Sequence, residues 1–113
     1  MGEQLIRHIP QKSVLQLTDQ VNYQPGQIVS KTLAQNDAVS LTLFAFDKGE
    51  EISSHESGGD ALITVLEGVG QITIDGEKFT LRGGESIVMP ARRPHAVYAI
   101  EPAKMFLTVI FAE

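Results

Sequence analysis

Two histidines, His55 and His95, carry the residue chemistry most able to build a reactive centre in this chain of 113 residues. Each sits in a short block punctuated by glycine and proline: GEEISSHESGGDALITVLEG at 49–68 and GESIVMPARRPHAVYA at 84–99. An imidazole can donate, accept and titrate near neutrality, so two of them converging from separate segments would fix a small ligand or move a proton. The same two rings can also begin a metal site, although typical sites use three or four protein ligands. His8 lies outside both blocks and is expected at the surface. The chain has no cysteine, which excludes disulfides, thiolate metal sites and a cysteine nucleophile.

The elements that must position these rings read as β-structure. Glycine and proline recur, and no long window carries apolar residues at helical spacing. Residues 39–46 (VSLTLFAF) form the clearest strand, with Val39, Leu41, Leu43 and Ala45 on one face and Ser40, Thr42, Phe44 and Phe46 on the other. Apolar side chains on both faces imply a strand inside a sandwich or beside a subunit contact. Residues 27–33 make a partner strand, joined through Gln35-Asn36-Asp37. Asp75-Gly76 suits a type I′ hairpin turn, which needs positive φ at both positions. That turn sets Ile74 opposite Glu77, Ile72 opposite Phe79 and Gly70 opposite Leu81. Strands are also expected at 86–89, 95–100 and 105–111. The last is apolar on both faces, hence central or covered by another subunit. Short strands at near-regular spacing indicate a sandwich or barrel. Residues 1–25 are less periodic and are left as an N-terminal segment, an edge strand or one exchanged with a partner. Residues 26–113 form the barrel.

The bulk numbers bound the function. One domain is expected from the length, with 42% hydrophobic and 20% charged residues. A net charge of −5 gives no electrostatic footprint for nucleic acid or an anionic membrane. No apolar run approaches the ~20 residues needed to span a bilayer. MGEQLIRHIP does not read as a secretory leader, so a cytoplasmic location is expected.

At this point the residues resemble the cupin family, small double-stranded β-helix barrels of the jelly-roll type. The family's first motif runs Gly-x5-His-x-His, three or four residues, Glu, six residues, Gly. Gly49, His55 and Gly68 match it, while Ser57 stands at the second histidine and Ala61 at the glutamate. The second motif runs Gly-x5-Pro-x-Gly-x2-His-x3-Asn. Gly84, Pro90 and His95 match, while Arg92 replaces the glycine and Ala99 the asparagine. The resemblance covers about residues 26–112 and implies an all-β cupin barrel, a homodimer and a pocket lined by His55, Ser57, Ala61, Arg92 and His95, which Val97 and Ala99 join because they share the strand parity of His95.

It also implies a divalent metal (iron, manganese, zinc, nickel or copper) on three histidines and a glutamate, of which only two ligands remain. Asp60 is the available substitute if a bulge at Gly58-Gly59 turns it inward beside His55 and His95, although strand parity opposes this. A weak or absent metal is therefore expected. Arg92 and Arg93 precede His95 and would either attract an anion or remain solvated loop charges. Three functions follow: a small-molecule-binding barrel with a reduced metal site, a metal-dependent enzyme (dioxygenase, isomerase or decarboxylase), or a ligand-free dimeric interaction module. The missing ligands favour the first over the second, and the retained histidines favour it over the third.

Overall fold

The structure, a computed structural model, describes residues 4–111. Among the described residues nine strands form two antiparallel sheets that face each other as a jelly-roll barrel. The first sheet holds β1 (Ile28–Gln35), β2 (Val39–Phe46), β9 (Ala103–Phe111), β4 (Gly59–Glu67) and β7 (Ser86–Met89), in that order. The second holds β3 (Glu51–His55), β8 (His95–Ala99), β5 (Val69–Ile74) and β6 (Glu77–Arg82). Among the described residues the helical content is one short 3-10 turn, Leu17–Gln20, and no helix is long and apolar enough to cross a membrane.

Alternation along the strands builds the core. In β4, Gly59, Ala61, Ile63 and Val65 are buried while Asp60 and Leu62 are exposed. Their inward side chains meet Phe46, Ile72, Leu81, Met89, Val97, Ala99 and Met105 in one cluster between the sheets. Full burial of side chains such as Phe46 and Ile72 contributes about 1.5–3 kcal/mol each. The β5–β6 hairpin has the register expected from its turn, with Ile74 opposite Glu77, Ile72 opposite Phe79 and Gly70 opposite Leu81. Asp75 and Gly76 both have positive φ, at 51° and 81°. Gly68, at φ 84°, links β4 to β5 where a Cβ would run into the Pro102 carbonyl.

Within the described residues the N-terminal segment, from Gln4 to Gln27, adds no edge strand to either sheet. Instead it crosses the outer face of the first sheet, where Ile9, Leu17, Val21 and Tyr23 pack on Leu33, Leu41, Leu43, Ala45 and Phe106. The second apolar face of β2 is thus covered by the chain's own N-terminal segment rather than requiring a partner. Polar contacts fasten this strap. Lys104, nearly buried, donates to the Thr18 carbonyl, its ammonium lies 5.0 Å from the Tyr23 ring centre, and the Tyr23 hydroxyl donates to Glu67 at 2.7 Å. Burial, followed by the hydrogen bond and charge of Glu67, pushes the Tyr23 hydroxyl well above its ordinary range.

Candidate functional site

One end of the barrel gathers the last residues of β3, β5, β7 and β9 and the first residues of β4, β6 and β8. His95 opens β8, where alternation sends His95, Val97 and Ala99 inward and leaves Tyr98 outside. His55 closes β3, and simple alternation would not bring it to the same side. Ile52 pairs with Val97, so a regular register would set Ser54 opposite His95. An irregularity between Ile52 and His55 adds one residue and places His55 opposite His95 instead. Such bulges re-aim side chains, and this one forms the histidine pair.

The two rings meet edge to face, with centroids 4.4 Å apart and Nε2 atoms separated by 3.2 Å. His95 is buried, at 3% exposure, whereas His55 is open to solvent. Each Nδ1 faces a carbonyl: His55 that of Ser53 at 3.0 Å, His95 that of Arg93 at 3.2 Å. A carbonyl only accepts, so both bonds together require both Nδ1 atoms to carry hydrogen. In two neutral rings this leaves a pair of Nε2 lone pairs confronting each other. One added proton between them satisfies all three contacts. A second is opposed by like charge. Burial first, and then the His55 charge, hold the His95 imidazole below its ordinary 6.5, while the Arg93 carbonyl acts in the opposite direction. The geometry thus leaves one position for a proton between the two Nε2 atoms, with the His55 ring open to solvent.

The donors do not fit the four-ligand metal centre implied by the resemblance. Nitrogen atoms 3.2 Å apart can occupy neighbouring positions on an ion with bonds of about 2.0–2.1 Å. No further ligand joins them: among the described residues no group of three His, Cys, Asp or Glu side chains could hold an ion. Ala61 is enclosed in the core and has no donor atom. The Ser57 hydroxyl accepts from the Gly59 N–H at 3.2 Å. The Asp60 expectation is corrected by strand parity. Its side chain lies on the exposed side of β4, and its carboxylate accepts from the Ala91 N–H at 2.8 Å.

The expected lining is corrected too. Val97 and Ala99 share the inward side with His95, but together with Ala61 they close into the main core. The imidazole pair is an open feature of the barrel end. Arg92 and Arg93 separate in role. Arg93 pairs with Asp75 at 2.8 Å, tying the loop before β8 to the β5–β6 hairpin. Arg92 is exposed, at φ 61°, and its N–H donates to the Ser57 carbonyl at 2.8 Å. It lines a cavity of about 250 Å³ with Gly58, Gly59, Asp60, Ile110 and Phe111. His8 is exposed as expected, and one of its ring nitrogens faces the Thr32 carbonyl. The β3 irregularity and the polar fastening of the strap have no short-range signal in the sequence. The Arg93–Asp75 pair follows only once the hairpin and the loop are known to be neighbours.

The cupin-domain family model matches residues 42–111. A conserved protein of unknown function from Streptococcus pyogenes is 42% identical over 100% of this chain and 99% of its own, with a TM-score of 0.97. A cupin superfamily protein from Desulfitobacterium hafniense is 32% identical, covering 95% of this chain and 98% of that one, with a TM-score of 0.90. A cupin 2 conserved barrel domain protein from Leptotrichia buccalis is 43% identical over 82% of this chain but 45% of its own length, with a TM-score of 0.79. No curated protein matches significantly.

Proposed function

Since the chain belongs to the cupin family, we propose that it is a small-molecule-binding barrel whose recognition pair is His55 and His95, working without a firmly held metal ion. The observation that carries this reading is the 3.2 Å approach of two Nε2 atoms whose rings are both oriented by backbone carbonyls. Orientation by rigid backbone reduces the ordering that a ligand must impose, the usual route to useful affinity in a small site. The one proton shared between the Nε2 atoms can leave the ring–ring contact to donate, charge-assisted, to a ligand oxygen, or pass to a reacting atom. His55 is the accessible partner, and buried His95 fixes its position.

A thermal-shift screen of metabolite classes on protein stripped with a chelator tests this. One class should raise Tm in wild type, and His55→Ala and His95→Ala should each abolish that rise. A rise retained in both variants would end the proposal.

The metal-dependent enzyme remains the second reading, favoured by a nitrogen separation that suits neighbouring positions on one ion. It requires ligands from outside this set, and stoichiometric metal needed for turnover would establish it. Homodimer formation is proposed as well. Leu62 and Val88, paired across β4 and β7, are 43% and 52% exposed on the outer face not covered by the strap. Light scattering at micromolar concentration tests it, and a monomer mass would refute it.

A further inference from the structure

Beside the imidazole pair, the cavity between the Gly58-Gly59 turn and the loop before β8 has chemistry of its own. Its charged lining residues are Arg92 and Asp60. The ion pairs among the described residues are Lys48–Glu101 and Arg93–Asp75, so Arg92 and Asp60 line the same cavity without forming an ion pair with each other. Exposed Ile110, the cross-strand neighbour of Asp60, supplies an apolar side chain at its wall, Phe111 packs inward on the core, and the two glycines add no side chains.

The loop that presents Arg92 is held from both flanks. Arg92 N–H bonds to Ser57 and Ala91 N–H to Asp60 on one side. On the other, Asp75 N–H bonds to Pro94 and the Arg93 guanidinium to Asp75. Arg92 itself adopts a left-handed backbone, at φ 61°, which a residue with a Cβ adopts reluctantly. Backbone strain held by this many contacts is a feature of ligand clamps.

We infer that this cavity binds the head group of a small α-amino acid, with its carboxylate on the Arg92 fork, its ammonium on Asp60 and an apolar side chain against Ile110. A simple anion would satisfy Arg92 but meet the Asp60 charge, and a simple amine would do the reverse. A zwitterion meets both, because arginine's planar fork matches a carboxylate with two parallel hydrogen bonds. The volume of about 250 Å³ suits a molecule of that size rather than a larger metabolite. This site is separate from the imidazole pair and stands or falls independently of it.

The test is a titration of 15N-labelled protein with L-leucine and with 4-methylpentanoate, its counterpart lacking the amine, read at the Gly58 and Gly59 amides. Leucine should give saturable shifts, with 4-methylpentanoate about tenfold or more weaker, as loss of a charge-assisted contact requires. Arg92→Gly, which suits the left-handed backbone and so keeps the loop folded, should abolish both. Asp60→Asn retains an acceptor for Ala91 N–H and should erase the difference between the two probes. Absence of saturable shifts, equal affinity for the two probes in wild type, or leucine binding unchanged in Arg92→Gly would each overturn the inference. None of these results bears on the His55 and His95 variants in the thermal-shift screen, so the two proposals can fail separately.

Discussion

Replacing Arg92 by glycine should make the protein more stable. The backbone there sits at φ 61°, in the region where an L-residue's Cβ crowds the following carbonyl, at a cost of roughly 1–2 kcal/mol. Four contacts through Ser57, Asp60, Pro94 and the Arg93–Asp75 pair prevent the loop from relaxing out of it. Glycine removes that cost but gives the unfolded chain more freedom, which returns about 0.4–1 kcal/mol. The net gain is about 0.5–1 kcal/mol, or roughly 2–5 °C in Tm for a domain of this size. Urea unfolding of Arg92→Gly and Arg92→Ala isolates the backbone contribution, because both lose the guanidinium and only alanine keeps the strain. Glycine should exceed alanine by about 0.5–1 kcal/mol. Equal stabilities, or a less stable glycine variant, would refute the claim that the loop is held against its preference.

Two further outcomes are expected. Tyr23→Phe keeps the ring against the outer cluster but removes the hydroxyl that Glu67 accepts from, so urea unfolding should show a loss of about 1–2 kcal/mol. The His95 imidazole is held below its ordinary 6.5, so above that pH neither folded nor unfolded His95 binds a proton and the shift contributes nothing. As pH falls through 6.5 the unfolded chain takes up a proton that the folded ring resists, and stability declines until the folded ring also protonates. Tm measured from pH 8 to pH 5 should therefore fall more steeply in wild type than in His95→Gln across the acid side of 6.5. Parallel curves would contradict this.

The parts of the fold set by local rules were legible in the sequence. Asp75-Gly76 fixed a turn type and hence a register along all six residues of β5, and alternation in VSLTLFAF separated the two apolar faces of β2. What covers each face is a tertiary matter. The outer one is filled by Ile9, Leu17, Val21 and Tyr23, spaced without a period because the strap follows the sheet surface rather than a lattice of its own. The dimer argument drawn from that face accordingly loses this part of its basis, and the uncovered Leu62 and Val88 carry it instead.

At the candidate site, the pairing of His55 with His95 was legible from motif spacing, but the way it is achieved was not. An extra residue in β3 has no composition signal in EISSH, because serine fits either a bulge or a regular edge strand. Parity alone correctly opposed an inward Asp60. It also correctly put Val97 and Ala99 inside, but inside here means core, since Ile63, Ile72, Met89 and Met105 fill the space between the sheets. Whether a barrel keeps a cavity depends on summed side-chain volumes, which alternation does not report.

The most direct experiment is histidine side-chain 15N NMR on chelator-treated protein, with and without the compound class found by thermal shift. Both Nδ1 atoms should appear protonated and both Nε2 signals should move when the compound binds, with no metal present. Binding that appears only after stoichiometric metal is restored would contradict a site built from two imidazoles alone.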